Sequence, residues 1–234
     1  MRIGIMQPYF FPYIGYFQLM NAVDEFVIYD NIQFSKKGWI NRNRMLVNDT
    51  DTYFTIPLKK DSDFLDIRNR RLAESWMSEK TKVLNKMRES YRKAPYFDPV
   101  YELIKNCILI DESNLFSYIL HTLSQIKIYL DISTPFIISS SIPIDHSLKA
   151  EKKVLEIIKY KKAKTYINPI GGMELYEKED FKKEGIELLF LKSENIEYKQ
   201  FSNSFVPWLS IIDVMMFNSR KTISEYLNNA YNLI

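Results

Sequence analysis

Side chains able to bind or activate a polar substrate are concentrated near the start of the chain, in the segment MQPYFFPYIGYFQLMNAVDEFVIYDNIQFSKKGWINRNR. Residues 2–6 and 25–29 are predicted to form strands, and residues 12–22 a helix. The polar side chains fall where these elements begin or end, and the carboxyl ends of strands in an open α/β sheet form the ligand-binding crevice. The segment therefore predicts a binding site that contains Gln7, Tyr13, Tyr16, Asp30, Gln33, Lys36, Lys37, Trp39, Asn41, Arg42 and Asn43.

Two further segments contain residues that could contact a ligand. The sequence NPIGG follows a predicted strand, and its backbone N–H groups could face an anion or a sugar, although paired glycines more often form a simple turn. This loop adds Asn168, Gly171, Gly172 and Tyr176 to the predicted site. In the sequence FVPWLSIID, Ser210 and Asp213 are three residues apart and share a helix face. Asp213 also lies between apolar pairs, which is equally typical of a buried structural role.

Few residues could act as an acid, a base or a nucleophile. Of the two histidines, His121 lies in an apolar helical pattern that favours a structural role, whereas His146 follows a strand region and precedes a predicted helix. The sequence contains no nucleophile elbow and no metal-ligand spacing, so no metal is expected. The predicted proton acceptors are therefore Asp30 first and Asp213 second, with His146 as a further candidate. Each of them could instead cap a turn or a helix.

Composition excludes several classes of protein. The chain has 234 residues, 46% of them apolar, which is enough to bury a substantial core. A net charge of +3, with basic and acidic residues interspersed, does not predict a nucleic-acid partner. The single cysteine, Cys107, excludes an intrachain disulfide. Because there is no signal-peptide pattern and no apolar run long enough to cross a bilayer, we expect a soluble cytoplasmic protein without a membrane contact of its own.

The order of predicted elements indicates a single α/β domain over residues 1–234. Residues 66–132 have helical patterns almost throughout and are predicted to form a helical insertion or side layer. The apolar runs FVIY, FIIS and ELLFL are typical of strands that are covered on both faces. Strands and helices alternate again after residue 132, which predicts a mostly parallel, Rossmann-like sheet flanked by helices.

Several of these segments resemble one known family. The sequences MQPYFFPYIGYFQLM, VIYDNIQFSKKGWINRNR, AKTYINPIGG, GIELLFL and FVPWLSIIDVMMFNS together are similar to the WbqC-like protein family over nearly the whole chain. Members of that family occur in bacterial gene clusters for O-antigen and related surface polysaccharides, and are thought to help attach acyl or aminoacyl groups to amino sugars. The resemblance implies such a setting for this protein, but it supplies no catalytic residue.

A weaker resemblance concerns the first helix. The order of strand, Tyr13-x-Gly15-Tyr16, helix and strand is similar to that of the HxGH nucleotidyltransferases, with tyrosines at both histidine positions. A neutral phenol stabilises developing phosphate charge less well than an imidazolium does. The topology could therefore be shared while the adenylyl-transfer chemistry is absent.

The predicted residues suit the transfer of an acyl group from a thioester to an amine, a reaction to which positioning alone contributes several kcal/mol. Asp30 would accept the proton. Arg42 with Lys36 or Lys37 would bind a diphosphate or a phosphopantetheine arm. Trp39 or Tyr16 would stack on a ring. The sugar hydroxyls would be bound by the amide side chains, Gln7, Asn41, Asn43 and Asn168.

Three hypotheses for the function follow. The first is a transferase that moves an acyl or aminoacyl group onto the amine of a nucleotide-linked amino sugar. Its donor would be a coenzyme A thioester, an acyl or aminoacyl carrier protein or a charged tRNA, and no cofactor would be bound permanently. The second is a nucleotidyltransferase-like enzyme that uses a nucleoside triphosphate. The third is a non-catalytic partner in polysaccharide assembly.

Overall fold

A computed structural model describes residues 1–202 and 204–234 of the chain. Its strands are β1 (Arg2–Met6), β2 (Glu25–Ile28), β3 (Arg42–Val47), β4 (Thr50–Thr55), β5 (Phe136–Ile138), β6 (Thr165–Pro169), β7 (Glu187–Ser193) and β8 (Tyr231–Leu233). Its helices are α1 (Ile14–Asn21), α2 (Trp76–Tyr91), α3 (Phe97–Ile108), α4 (Leu115–Tyr129), α5 (Ala150–Tyr160), α6 (Lys178–Lys183), α7 (Ile211–Phe217) and α8 (Arg220–Asn229). Short 3-10 turns cover Ile67–Asn69, Ser139–Ser141 and Ile170–Leu175.

The main sheet has six strands in the order β5-β2-β1-β6-β7-β8. Its first five strands are parallel, and β8 is antiparallel to β7. The chain builds outward from β1 through β2 to β5 and then returns to the other side of β1 to form β6 and β7. This is the strand order of a Rossmann-like fold, and it creates a topological switch point between β1 and β6. The predicted mostly parallel α/β sheet is confirmed.

Apolar side chains cover both faces of this sheet. In β2, Phe26 packs with α1 and the helical layer, whereas Val27 belongs to a second cluster with α5 and α6. Because successive side chains of a strand point to opposite faces, a strand buried on both sides is apolar throughout. The segment predicted to be helical forms α2, α3 and α4, which pack on the first of these faces.

A two-stranded hairpin, β3 with β4, stands apart from the main sheet. Its connecting residues, Asn48 and Asp49, have φ angles of 48° and 61°, as a tight turn between antiparallel strands requires. β3 was not predicted from the sequence, because the first two residues of this strand, Arg42 and Asn43, were interpreted only as ligand contacts. In the structure, buried Asn43 and Met45 alternate with half-buried Arg42 and Arg44, but the first three residues of β3 are all polar, so the sequence shows no such alternation.

No helix in the described part of the chain is both long and apolar enough to cross a membrane.

Helix α1 connects the centre of the sheet to the end of α8. The buried side chain of Gln18 donates hydrogen bonds of 2.9 Å to the carbonyl oxygens of Tyr226 and Ala230. Its own oxygen accepts a 2.6 Å hydrogen bond from Ser193 at the end of β7. Gly15 lets α1 approach β7 this closely, because a Cβ atom at this position would lie 2.6 Å from Ser193 Oγ.

We expect Gly15→Ala to lower the free energy of unfolding by about 1–3 kcal/mol, because the clash with Ser193 outweighs the better helix propensity of alanine. Urea denaturation of the wild type, both single variants and the double variant measures the coupling between the two positions. In the Ser193→Ala background the clashing hydroxyl is gone, so the same glycine substitution should be less destabilising. An equal loss in both backgrounds would contradict the close approach as its cause.

Candidate functional site

A cavity of about 410 Å³ lies at the carboxyl ends of β1, β6 and β7, beside the first turn of α1. This is the topological switch point of the sheet, where ligands bind in open α/β folds. The lining residues are Met6, Tyr9, Pro12, Tyr13, Gly15, Tyr16, Leu19, Trp39, Asn43, Arg44, Pro169, Ile170, Leu191, Lys192, Ser193 and Trp208.

The cavity wall is mostly apolar and aromatic. Leu19 and Leu191 are buried at its surface, and the half-buried side chain of Met6 lies at the end of β1. Its polar side chains, apart from the tyrosines, are Asn43, Arg44, Lys192 and Ser193. Among the described residues, no carboxylate and no histidine lines the cavity. The cavity therefore combines apolar surface with positive charge.

Two tryptophans lie at the cavity on different segments. Trp39 stacks on Tyr53 with the ring centroids 6.0 Å apart, and the guanidinium of Arg44 lies 5.5 Å from the Trp39 ring. Trp208 is half exposed and packs against Tyr13, at 5.2 Å between centroids. Its φ angle of 60° is rare for a bulky side chain and indicates a conformation that its surroundings enforce. Aromatic faces of this kind bind sugar rings and nucleobases.

Arg44 connects these two tryptophans. Its Nη1 atom donates to Asp51 at 2.8 Å, and its Nη2 atom donates to the carbonyl oxygen of Trp208 at 3.0 Å. Its Nε atom is buried and has no hydrogen-bond partner among the described residues. Because Arg44 lines the cavity, the remaining N–H groups of its two Nη atoms could donate to an acceptor atom of a ligand. The sequence pattern predicted Arg42 as the phosphate-binding residue instead of Arg44. Arg42 lies on the same strand but does not line the cavity.

The loop between β1 and α1 is held by two residues that were predicted to bind substrate. Asn43 Nδ2 lies 3.1 Å from the carbonyl oxygen of Phe10 and 2.9 Å from that of Phe11, and donates to both. Ser210 Oγ donates to the same Phe11 oxygen at 2.7 Å. Phe11 is buried with a φ angle of 42°, so these bonds also stabilise an unfavourable backbone conformation. The geometry therefore gives Asn43 and Ser210 a positioning role.

Tyr13 and Tyr16 both line the cavity, as expected for ligand contacts. Burial raises the pKa of Tyr13 to about 12 and that of Tyr16 well above its ordinary value. Both phenols therefore keep their protons near neutral pH. The Tyr16 hydroxyl donates a hydrogen bond of 3.0 Å to the carbonyl oxygen of Gln7. The Tyr13 hydroxyl has no hydrogen-bond partner among the described residues, so it is available as a donor to a ligand.

Asp213 is fully buried and lies outside the cavity lining. Its carboxylate accepts hydrogen bonds from Tyr91 at 2.8 Å and from Tyr198 and Gln200 at 2.7 Å each. The Tyr91 hydroxyl in turn accepts a 2.8 Å hydrogen bond from the backbone N–H of Leu46. The carboxylate thus joins α2, α7, β3 and the segment after β7. This geometry favours the buried structural role over that of a proton acceptor.

Asp30 is also buried and is not part of the cavity wall. Its oxygens accept hydrogen bonds from the hydroxyl groups of Ser139 and Ser140, at 2.8 and 2.6 Å, and from the Ser140 backbone N–H at 2.9 Å. These donors belong to the 3-10 turn that follows β5, so Asp30 connects the ends of β2 and β5. Proton transfer by Asp30 would require a substrate to reach this separate edge of the sheet.

His146 lies near Asp30 and away from the cavity lining. Its Nε2 atom is 2.9 Å from the carbonyl oxygen of Ile142, which can only accept, so Nε2 carries the proton. Its Nδ1 atom then accepts from Asn31 Nδ2, also at 2.9 Å. Both ring nitrogens are therefore occupied by protein groups, and His146 has no free nitrogen for a substrate in this arrangement.

Several polar residues of the predicted site contact neighbouring loops. Gln33 donates to the carbonyl oxygen of Asp63, and Lys36 forms an ion pair of 2.6 Å with the Asp63 carboxylate. Asn41 donates to the Ile56 carbonyl oxygen. Arg42 donates to the carbonyl oxygens of Gly38 and Lys37. Of the predicted residues between 33 and 43, the structure brings only Trp39 and Asn43 to the cavity.

The NPIGG loop contributes to the cavity through Pro169 and Ile170, not through its glycines. Asn168 is buried, and its amide packs so closely on Gly172 that no Cβ would fit there. Tyr176 packs edge-on against Tyr166, with centroids 5.8 Å apart. By contrast, a Cβ at Gly171 would meet no atom within 4 Å.

Sequence reasoning missed five lining residues with distinctive side chains, which are Tyr9, Arg44, Lys192, Ser193 and Trp208. Tyr9, Arg44 and Trp208 lie within the unusual segments and could have been selected there. Lys192 and Ser193 lie at the carboxyl end of a strand, and that position was their only signal.

We expect Tyr91→Phe to lower the free energy of unfolding by about 1–3 kcal/mol, because it leaves Asp213 Oδ1 and the Leu46 N–H without a buried partner. Tyr160→Phe is the matched control, since Tyr160 is half exposed and makes no side-chain hydrogen bond in the described structure. Denaturant titration measures both variants. A similar loss in the two variants would contradict the proposed role of the hydroxyl.

The stability contributed by Asp213 should depend on pH. Burial raises the pKa of Asp213 above its ordinary value, so the folded protein holds this proton more tightly than the unfolded chain does. Its contribution is therefore fully present below the unfolded pKa and is lost as pH rises through the folded pKa. The free energy of unfolding of the wild type minus that of Asp213→Asn should be larger at about pH 4 than at about pH 7. A difference that grows toward neutral pH would contradict this sign.

Comparison with known proteins identifies the family to which the chain belongs. It is 25% identical over 230 residues to the uncharacterized protein Rv1507c of Mycobacterium tuberculosis (strain ATCC 25618 / H37Rv), and the match covers 97% of each chain. No solved structure gives a significant match. The sequence profile of the WbqC-like protein family matches residues 7–225, which include every residue of the cavity lining except Met6. The chain therefore belongs to the WbqC-like protein family.

Proposed function

We propose that this protein is a transferase of bacterial surface-polysaccharide biosynthesis that moves an acyl or aminoacyl group onto the amine of a nucleotide-linked amino sugar. Family membership suggests a role in polysaccharide-related biosynthesis. The observation that carries the finer proposal is the cavity at the switch point, which combines apolar walls, aromatic rings and two cationic side chains.

Each part of the cavity suits a part of such substrates. The apolar surface of Met6, Leu19 and Leu191 suits a hydrocarbon chain. The half-exposed ring of Trp208 suits the face of a sugar or a base. Arg44 and Lys192 suit phosphate oxygens, because a guanidinium and an ammonium form charge-assisted hydrogen bonds with them.

The charge of the cavity also supports the reaction. An amino sugar attacks a carbonyl carbon only as its neutral amine. Two cations and no lining carboxylate disfavour an ammonium ion, so the pKa of a bound amine is lowered and the nucleophilic form is favoured. The proposed reaction would therefore not require a general base beside the substrate.

The proposed chemistry forms an amide from an amine and a thioester. The amine nitrogen adds to the thioester carbonyl carbon, the carbon–sulfur bond then breaks, and the sulfur leaves as a thiolate that takes up the proton released by the nitrogen. The hydroxyl of Tyr13, protonated at neutral pH because its pKa is raised to about 12, would donate to the carbonyl oxygen as negative charge develops. The donor would be an acyl or aminoacyl thioester of coenzyme A or of a carrier protein. With a charged tRNA, which is an oxygen ester, the bond that breaks would be carbon–oxygen and the ribose hydroxyl would leave with the proton.

A nucleotidyltransferase-like reaction is the second candidate function. It is favoured by the arrangement of Tyr13, Gly15 and Tyr16 at the start of α1, all at the cavity and on the first helix after β1. It is opposed by the chemistry of these side chains, because neutral phenols replace the two imidazoles on which that reaction depends. Magnesium-dependent release of pyrophosphate from a nucleoside triphosphate would distinguish it from acyl transfer.

The test is a binding screen with two matched variants. UDP-, dTDP- and GDP-linked amino sugars, acyl coenzyme A thioesters and Mg-ATP are measured by thermal shift and isothermal titration against the wild type, Arg44→Gln and Arg42→Gln. We expect a nucleotide amino sugar or a thioester to bind the wild type. Arg44→Gln should weaken that binding about tenfold or more, since it removes a charge-assisted hydrogen bond.

Arg42→Gln removes the same charge two residues away on the same strand, outside the cavity, and should leave the dissociation constant nearly unchanged. Equal effects of the two substitutions would argue against the cavity as the binding site. Selective binding of Mg-ATP would favour the nucleotidyltransferase. If none of these ligands binds, the non-catalytic role in polysaccharide assembly becomes the better account.

A further inference from the structure

The charges around the cavity distinguish between the two kinds of group that the proposed transferase could move. Both charged side chains of its lining, Arg44 and Lys192, are cations. The carboxylate of Asp51 accepts from Arg44 at 2.8 Å, but Asp51 itself does not line the cavity. Lys192 is exposed and forms no ion pair in the described part of the chain. A ligand in the cavity therefore meets one cation that is paired with a carboxylate, Arg44, one cation without an ion pair, Lys192, and no carboxylate among the lining residues.

An aminoacyl group carries an ammonium ion next to its carbonyl, whereas a simple acyl group is uncharged. Moving an ammonium ion from water into an apolar site is unfavourable unless an anion or several acceptors replace its hydration. The two cations add repulsion to that desolvation. The apolar side chains of Met6, Leu19 and Leu191 offer neither an anion nor an acceptor.

Aromatic rings could in principle replace a carboxylate, because the face of a ring attracts cations. Trp208 is half exposed and packs against Tyr13, and two further rings of the lining, Trp39 and Tyr16, already have other partners. One face of Trp39 is next to the Arg44 guanidinium, and the same ring stacks on Tyr53. Tyr16 is only 6% exposed and packs against three neighbouring rings, those of Tyr9, Phe17 and Phe26. These faces leave little room for a further cation.

We infer that the group transferred at this cavity is an uncharged acyl group and not an aminoacyl group. This inference rests on the proposed function and narrows its donor to an acyl thioester, which makes a charged tRNA an unsuitable donor. The acyl chain lies against the apolar wall, and the phosphate groups of its carrier lie toward Arg44 and Lys192.

The test compares two donor analogues that differ in one charge. In both, an NH group replaces the sulfur of coenzyme A, so that the stable amides of butyric acid and of 2-aminobutyric acid can be titrated by calorimetry. We expect the butyryl amide to bind the wild type at least tenfold more tightly than the 2-aminobutyryl amide. An acetyl amide, shorter by two methylene groups, should bind about tenfold more weakly than the butyryl amide if the chain is buried.

Lys192→Glu tests the electrostatic cause, because it places a carboxylate at the cavity on an exposed side chain whose substitution should not disturb folding. It should reduce the preference for the butyryl amide at least threefold. The matched control is Lys86→Glu, the same charge reversal on the exposed surface of α2 and outside the cavity lining, which should leave the preference unchanged.

Equal or tighter binding of the 2-aminobutyryl amide would overturn the inference and leave the proposed transferase intact, since a donor would still bind. Binding of nucleotide amino sugars without either amide would also overturn it, because the cavity would then hold no donor chain. If neither the amides nor the nucleotide sugars bind, the proposed function fails as well.

Discussion

The structure depends on the hydrogen bonds that other parts of the chain donate to the backbone carbonyl groups of the loop between β1 and α1. This loop runs through the interior with Phe10 and Phe11 buried, so its carbonyl groups cannot be solvated by bulk water. Asn43 from β3 and Ser210 from the start of α7 donate to those carbonyl groups. The Phe10 N–H donates to the carbonyl oxygen of Trp39. Two distant parts of the chain, residues 39–43 and the start of α7, are thereby fixed to the same loop.

The same contacts form the cavity. Asn43 lies next to Arg44 on β3, and the Ser210 backbone N–H donates to the carbonyl oxygen of Arg44. The Arg44 guanidinium donates to the carbonyl oxygen of Trp208 and also lies over the Trp39 ring. The strand that binds the loop therefore also positions both tryptophans at the cavity. Behind this layer, the carboxylate of Asp213 connects α7 to α2 and β3. Such a network is stabilising only because every oxygen of the buried carboxylate has a donor.

This arrangement separates the residues that build the site from those that face it. The polar groups of Asn43, Ser210 and Asp213 form hydrogen bonds with other protein groups. By contrast, the Tyr13 hydroxyl and the Arg44 Nε atom have no hydrogen-bond partner among the described residues. The cavity itself is apolar, aromatic and cationic. These properties agree with the proposed transfer, in which the cavity would orient an amine and an acyl donor and its positive charge would favour the neutral form of the amine.

The amino-acid sequence determined the class of fold and the region of the site. Apolar runs such as FVIY and ELLFL can only be strands covered on both faces, and the alternation of strands with amphipathic helices implies a mostly parallel sheet. The position of Tyr13 and Tyr16 after the first strand also follows from local pattern alone. These features depend on residues near one another in the chain, where side-chain periodicity and helix signals act.

The role of each polar residue was decided only by the tertiary structure. Arg42 and Arg44 look alike in the sequence, and the pairing of β3 with β4 and the approach of Trp208 bring only Arg44 to the cavity. Asp30 and Asp213 resemble catalytic carboxylates until Ser139, Ser140, Tyr91 and Tyr198 are seen to donate to them from far along the chain. Whether a polar group serves a substrate or the fold depends on which donors and acceptors surround it. Those partners are distant in sequence, so their identity is set by packing and not by any local pattern.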